Sequence, residues 1–593
     1  MKALILAAGI GNRMRPLTNK VHKTLLTVNG EAIIDRIIFG LLENGITRMV
    51  VVTGYRVDEL VSHLQYKFPA VDFEFVHNPR FRETNNIYSM ALAFEQIDID
   101  DDILLIESDL IFLPEVIKRA IESPYPNVAL VSPYMTGLDG TVVQLSGNKV
   151  VAIYPPHLQD EKFDLFDKFK TLNIYRFSKD FCANEFKKLL VYYAKTIDAN
   201  CYYELILGIL IYMQRQDIYC EIIANDQWAE VDDPNDLMGA EFLFNREKRL
   251  ELLEGNFGGF WNFNVLDFCF IRNMYFPPKS MVSEIKNNLH YLIENSGSKQ
   301  EVLNRKLSYV VQCDPERLIM LNGASQVYPI LSNLLAGKSI LLPEPTFGEY
   351  PRIFPGASTY GDCVGVSCEE VEAKLAEADV LVVVNPNNPT GSVVSTKWLI
   401  ALAEKNAEKL FIIDESFIEF SDQPSVLSFF ADHPLSNILL IKSMSKSYGI
   451  PGLRLGFVYS CQQELLAAIA KEVPIWNMNS IAEFYLEILL KNKALLAESF
   501  EQTRQDRKDF SQGLRGLALF DEVYPSGGDY ILVRAAGDGT HCANLAKYLL
   551  VDHSIYIKEV TDKMGVDGRR YYRLAVRLPV ENSLLLEAIK VYA

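Results

Sequence analysis

Met1-Lys2-Ala3-Leu4-Ile5-Leu6-Ala7-Ala8-Gly9-Ile10-Gly11-Asn12-Arg13-Met14-Arg15-Pro16-Leu17-Thr18 opens the chain with an apolar run that stops at two glycines and two arginines. A secretory signal shares part of this outline, but the run is too short and cations directly after an apolar stretch oppose export. A buried strand feeding a glycine turn has this pattern. Working outward, β-rich runs at Ala3–Ala7, Arg48–Thr53, Ile103–Ile106 and Val128–Ser132 alternate with amphipathic stretches such as Ala32–Glu43. The alternation predicts an α/β domain on a mainly parallel sheet over residues 1–235. Residues 236–259 turn helical and charged (Glu241, Arg246, Glu247, Lys248, Arg249, Glu251) and close on Gly255-Asn256-Phe257-Gly258-Gly259, a predicted linker helix and hinge. A second α/β pattern fills residues 260–593, with apolar strands at Ser339–Leu342, Val380–Val384, Leu410–Ile413 and Ile438–Ile441.

The composition agrees with two sizeable domains. Across 593 residues, 49% hydrophobic, 11% aromatic and 23% charged side chains supply ordinary globular cores. Lys plus Arg number 58 against 76 Asp plus Glu, a net charge of −18, which repels nucleic acid and anionic membrane on average, so anionic ligands need local cations. Nine cysteines without metal-type spacing suit a reducing, cytoplasmic setting with no structural zinc. The apolar stretch near Leu205 to Met213 falls short of the roughly 20 residues a membrane span needs.

In the first domain the glycine turn Ala8-Gly9-Ile10-Gly11 lets backbone N–H groups approach a polyphosphate, with Arg13 and Lys23 supplying charge. The whole string resembles the pyrophosphorylase signature of the nucleotidyltransferases, which implies a Rossmann-like domain. In that family the arginine meets the leaving phosphates and the lysine the α-phosphate; His22 stands where proline is common. The resemblance also implies Mg²⁺ on Asp109, in Leu105-Ile106-Glu107-Ser108-Asp109, and on Asp232, in Glu230-Val231-Asp232-Asp233-Pro234, with Asp233 the other candidate. Thr84-Asn85-Asn86-Ile87-Tyr88-Ser89 stands where sugar nucleotidyltransferases carry a sugar-binding segment, and this variant is similar to the subfamily that cytidylylates phosphocholine and its relatives. That makes CTP the donor, with Asn85 and Tyr88 in the site. Lys170 is a candidate for a phosphoryl group or a solvated lysine; Tyr202-Tyr203-Glu204 is a candidate ammonium box or core.

In the second domain Ser443-Met444-Ser445-Lys446-Ser447-Tyr448-Gly449 continues to Arg454, with Asn385-Pro386-Asn387-Asn388-Pro389-Thr390-Gly391 and Asp414-Glu415-Ser416-Phe417 upstream. Together these resemble the fold-type I aminotransferases, most closely the histidinol-phosphate aminotransferase and threonine-phosphate decarboxylase branch, and imply pyridoxal 5′-phosphate. Carried over by motif, Lys446 would hold the cofactor as a Schiff base and shuttle a proton. Asp414 would pair with the pyridinium nitrogen, Asn388 would donate to the ring hydroxyl, and Phe347 would stack on the ring or simply pack. Ala324, Ser325, Ser443 and Arg454 would hold the phosphate, and Arg573 would fork onto the carboxylate of an amino or keto acid. Phe417 replaces a common tyrosine. Arg577 stands where an added cation suits a phosphate or phosphonate, with a surface salt bridge equally open. Tyr291 falls where the family sends a tyrosine into the neighbouring subunit, implying a homodimer.

The pairing resembles fused phosphonate cytidylyltransferase–aminoethylphosphonate transaminase proteins. It implies that phosphonoacetaldehyde is aminated to 2-aminoethylphosphonate, which then takes CMP from CTP. Two alternatives stay open: a phosphocholine or phosphoethanolamine cytidylyltransferase fused to a phospho-amino-acid decarboxylase or aminotransferase, and a nucleotide sensor controlling the pyridoxal domain.

Overall fold

The computed structural model describes every residue except 136, 161, 364, 538–539, 566 and 593. The chain divides into two compact units, Met1–Asn264 and Val265–Ala593. In the first, every residue of the strand Lys2–Ala7 is buried, as an uninterrupted apolar run covered on both faces must be. Its residues alternate between two cores. Ala3, Ile5 and Ala7 pack with Ile37 and Leu41 of the helix Ile33–Glu43, while Leu4 and Leu6 pack with Met90 and Phe94 of the helix Asn86–Gln96.

This strand pairs in parallel with Arg48–Thr53 and Ile103–Glu107, and Asp72–His77 extends the parallel group. Phe169–Phe177 then enters antiparallel to both Ile103–Glu107 and Val128–Pro133. Tyr219–Ile222, Lys149–Tyr154 and Val142–Ser146 complete nine strands. The sheet expected to be mainly parallel is therefore parallel over four strands and mixed beyond them, because one long reversed strand divides it. Pro234–Phe244 is a helix whose N-terminus is closed by a reciprocal pair, Asp233 and Asp236. A shorter helix, Arg249–Asn256, follows it within the same unit, and buried Arg249 donates to the Phe242 and Leu243 carbonyls at 2.9 Å each.

In the second unit the sheet order is Leu318–Asn322, Leu455–Ser460, Ile438–Ser443, Leu410–Asp414, Val380–Val384, Ile340–Glu344, Ser358–Gly361. All neighbours are parallel except Leu455–Ser460, antiparallel to both its partners. A four-stranded antiparallel sheet (Phe520–Val523, Tyr530–Ala535, Tyr571–Ala575, Lys558–Glu559) shares a core with Phe510 and Leu514 of the long helix Lys493–Arg515. All nine cysteines are free thiols. Among the described residues no helix is long and apolar enough to cross a membrane.

Candidate active sites

In the first unit the strand Lys2–Ala7 ends in a turn where Gly11 sits at φ 66°, a left-handed conformation that glycine adopts without a Cβ clash. A Cβ there would press on Lys23 and Thr18 at 3.1 Å, so the turn wraps Lys23. Beneath it lies a cavity of about 200 Å³ whose lining includes Ala8, Gly9, Lys23, Asn85, Glu107, Asp109 and Tyr202. The Lys23 ammonium donates to Asp109 Oδ2 at 2.8 Å and to Asp232 Oδ1 at 2.7 Å. Arg13 reaches Asp232 Oδ2 at 2.5 Å and Asp139 at 3.2 Å. The structure thus brings Lys23, Arg13, Asp109 and Asp232 to one point, while Asp233 turns away to cap its helix.

Burial disfavours the Lys23 charge, but the carboxylates of Asp109 and Asp232 outweigh it and raise its pKa. Burial pushes Asp232 up, yet Lys23 and Arg13 carry it below the usual carboxylate value. Asp109 Oδ1 is buried without a partner. Among the described residues no three metal-type side chains converge, so a divalent cation here would take two carboxylates and complete its shell from phosphate and water. That hard-oxygen donor set fits Mg²⁺.

Behind the cavity, and partly lining it, is a largely buried polar cluster. Lys170 is 1% exposed and paired with Glu230 at 3.0 Å, and it donates to the Thr171 carbonyl. Its ammonium is thus already occupied within the fold. Asn173 donates to the other Glu230 oxygen, and Asn86 donates to Glu107 at 3.0 Å. Burial pushes Glu204 and Glu230 up to about 7, and burial with the charge of Asp109 raises Glu107 well above the usual carboxylate value. Tyr202 sits half-open at the cavity, whereas Tyr203 is buried against Tyr175 at 5.9 Å, so these neighbours do not form one box. Tyr88 lies under the Arg80 guanidinium at 5.1 Å. Sequence reasoning missed Glu107 and Glu230 as site residues, although both belong to the motifs that supplied Asp109 and Asp232.

In the second unit Lys446 lies on the one-turn helix Met444–Ser447, directly after the strand Ile438–Ser443. Among the described residues its ammonium has no hydrogen bond; the Phe270 ring centre lies 5.7 Å away. Burial lowers its pKa, and the charges of Arg573 and Arg454 lower it further. Asp414 ends its strand, buried, and accepts from Ser416 Oγ at 2.6 Å and Tyr350 OH at 2.8 Å. Burial raises its pKa against these hydrogen bonds. Arg454, at φ 60°, donates to Ser325 Oγ at 2.9 Å. Its guanidinium occupies the space a Cβ on Gly323 would fill, and a Cβ on Gly456 would meet Ala324 N as closely. Buried Ser445 Oγ and Ser447 Oγ lack partners. A lysine, a buried acid on tyrosine, and an arginine with free hydroxyls fit pyridoxal phosphate.

Arg573 Nη1 donates to Asn388 Oδ1 at 2.8 Å and Nη2 to the Cys269 carbonyl at 2.5 Å, with Nε buried and unpartnered. Arg577 is occupied: it pairs with Glu581 at 2.9 Å and donates to the Asp267 carbonyl. Phe347 is half-buried with its ring centre 6.1 Å from Tyr328. The Ser443 N–H donates to Ser416 Oγ. Tyr291 is exposed on the helix Lys279–Glu294. Tyr350 was not singled out from sequence, although it lies three residues past Phe347.

Residues 295–576 match the family model for aminotransferase class I and II, and residues 3–147 that for the MobA-like NTP transferase domain. Histidinol-phosphate aminotransferase of Chlorobium phaeobacteroides (strain DSM 266 / SMG 266 / 2430) is 30% identical over 302 residues, covering 48% of this chain and 79% of that protein. The chain belongs to the class I and II aminotransferases. It is an enzyme in which a nucleotidyltransferase domain precedes the aminotransferase domain. CMP-5′-(3-aminopropyl)phosphonate synthase of Streptomyces rubellomurinus (strain ATCC 31215) is 29% identical over 601 residues, spanning 99% of this chain and 94% of that protein. The crystal structure of L-threonine-O-3-phosphate decarboxylase from Porphyromonas gingivalis, 22% identical, superposes at a TM-score of 0.50, covering 55% of this chain and 99% of its own. That likeness supports the aminotransferase fold.

Proposed function

We propose that the enzyme makes and activates a short aminoalkyl phosphonate. The aminotransferase domain converts phosphonoacetaldehyde to 2-aminoethylphosphonate, taking nitrogen from an amino acid. The nucleotidyltransferase domain moves CMP from CTP to that product and releases pyrophosphate. The observation that carries this reading is the end-to-end likeness to a CMP-aminoalkylphosphonate synthase. A chain that joins an amine-forming domain to a nucleotide-transferring one is explained if both act on one aminated compound, with tethering raising its local concentration.

In the first site the phosphonate is already anionic at neutral pH, so its oxygen attacks the α-phosphorus in line without a general base. Lys23 and Arg13 exchange their carboxylate partners for phosphate oxygens and neutralise charge on the leaving pyrophosphate. Asp109 and Asp232 would hold Mg²⁺, which supplies further neutralisation at the triphosphate. In the second site pyridoxal phosphate, when bound, supplies the electron sink. Asp414, fixed by Tyr350 and Ser416, keeps a proton on the ring nitrogen. Lys446 Nζ moves the proton between carbons, with Arg454 and Ser325 gripping the phosphate. Arg573 takes the carboxylate of the amino donor. The domain works as a homodimer in the cytoplasm.

The test is pyrophosphate release from CTP and Mg²⁺ with 2-aminoethylphosphonate, 3-aminopropylphosphonate, phosphoethanolamine and phosphocholine offered separately. A preference for the two-carbon phosphonate is expected; a preference for phosphocholine sinks the shared-compound argument.

A further inference from the structure

Lys446 stands on a helix of only four residues, Met444–Ser447. A single turn does not hold itself in water, and its closing carbonyls need partners from outside the helix. Three come from the residues that follow: the N–H groups of Tyr448, Ile450 and Gly449 donate to the Met444, Ser445 and Lys446 carbonyls at 3.0, 3.1 and 3.1 Å. The Ser447 carbonyl is served from far upstream in the chain. Asn273 Nδ2 donates to it at 2.9 Å, and the Asn273 backbone N–H adds a second bond to the Lys446 carbonyl, also at 2.9 Å.

Asn273 is 2% exposed and its amide is fully committed. Oδ1 accepts from the Tyr275 N–H at 3.0 Å, and Nδ2 donates to Ser499 Oγ at 2.7 Å as well as to Ser447. A backbone N–H only donates, so the Tyr275 bond settles which side-chain atom is oxygen. The segment carrying Asn273 is anchored in turn. Phe268 N–H donates to the Tyr556 carbonyl at 2.8 Å, Ala575 N–H to the Phe268 carbonyl at 2.9 Å, and Ile271 packs with Phe417 and Tyr530. Gly449, at φ 64°, lies so close that a Cβ on it would strike the Phe276 carbonyl, so segment and lysine loop meet backbone to backbone. The Lys446 ammonium itself makes no hydrogen bond among the described residues, so its place follows from the backbone that carries it.

We propose that Asn273 is a positioning residue of the aminotransferase site: by bonding the Lys446 and Ser447 carbonyls it fixes the backbone from which the lysine nitrogen reaches the cofactor. The proposal rests on the aminotransferase reading of this domain.

The experiment uses the full-length holoenzyme and reads cofactor absorbance, visible-range circular dichroism of the bound cofactor, and kcat and KM for amino transfer. Asn273→Ala lowers kcat about 10²-fold with KM unchanged, the effect of a reacting group displaced by about 1 Å, and weakens the dichroic band. Asn273→Asp, which keeps the shape and the Tyr275 bond but has no N–H for the Ser447 carbonyl, behaves alike. Ser499→Ala removes the other acceptor of Asn273, spares both bonds to the lysine turn, and keeps the wild-type kcat and dichroism. A lower melting temperature in N273A and N273D with kcat and the dichroic band unchanged shows that Asn273 only stabilises the fold, and overturns the proposal. So does a loss in S499A as large as in N273D, or the failure of both N273A and N273D to fold. Variants that fold by far-ultraviolet dichroism yet take up no cofactor show the same displacement in its extreme form. A wild type that never acquires cofactor absorbance fails the aminotransferase reading itself, and the proposal with it.

Discussion

Lys23→Ala removes the cation on which two carboxylates converge. The ammonium makes charge-assisted bonds of 2.8 and 2.7 Å to Asp109 and Asp232, with side chains only 12–18% exposed. Breaking a buried pair by deleting one partner costs about 3–5 kcal/mol, most of it from the charge left behind. Arg13 remains on Asp232 at 2.5 Å, so the stranded group is Asp109, whose second oxygen is already unpartnered. This places the loss near the lower end, about 3 kcal/mol. Removing a cation that neutralises developing charge lowers turnover about 10²–10³-fold. Urea unfolding followed by circular dichroism reads the first quantity, and pyrophosphate release at saturating CTP the second. The stability deficit shrinks on acidification as carboxylate charge is lost. A variant within about 0.5 kcal/mol of wild type, inside ordinary surface-substitution scatter, with turnover intact, refutes the reasoning.

Burial raises Glu204 to about 7, above its unfolded value of about 4.3, so its contribution to stability is full below that value and lost as pH rises through 7. Glu204→Gln therefore melts above wild type at pH 8 and loses that advantage at pH 4, by scanning calorimetry. Lys446→Ala lowers amino transfer about 10²–10⁴-fold or more yet leaves pyrophosphate release unchanged, measured on the same preparation. Phe417, edge-on to Tyr530 at 5.1 Å, offers no donor to the cofactor ring; Phe417→Tyr supplies one and lowers the absorbance midpoint of the holoenzyme by up to about one pH unit, followed spectrophotometrically.

Much of both sites is readable from sequence because the chemistry sits at strand ends. Asp109 and Asp414 follow apolar runs by at most three residues, and Lys23 packs under its glycine turn. What escapes is whatever depends on strands that meet across long gaps. Lys170 reads as a phosphoryl-binding or a solvated lysine until the fold places it, buried, against Glu230 at 3.0 Å, sixty residues away by number. Tyr202 and Tyr203 are adjacent in sequence, but the turn into the helix Glu204–Tyr212 sends one to the cavity and the other to the core. Arg577 was readable either way, and Glu581, four residues on, claims its guanidinium.

The lone reversed strand in the aminotransferase sheet has a mechanical consequence. Ile438–Ser443 leaves the sheet at the edge where Lys446 stands, and Leu455–Ser460 re-enters at that same edge just after Arg454. A single short loop therefore carries both Lys446, proposed to hold the cofactor, and Arg454, proposed to hold its phosphate. The chain itself acts as a ruler, fixing the span between the two anchors in residues rather than leaving it to the alignment of separate strands. Lengthening that loop by even one residue would detune the pair while leaving every strand of the sheet in register.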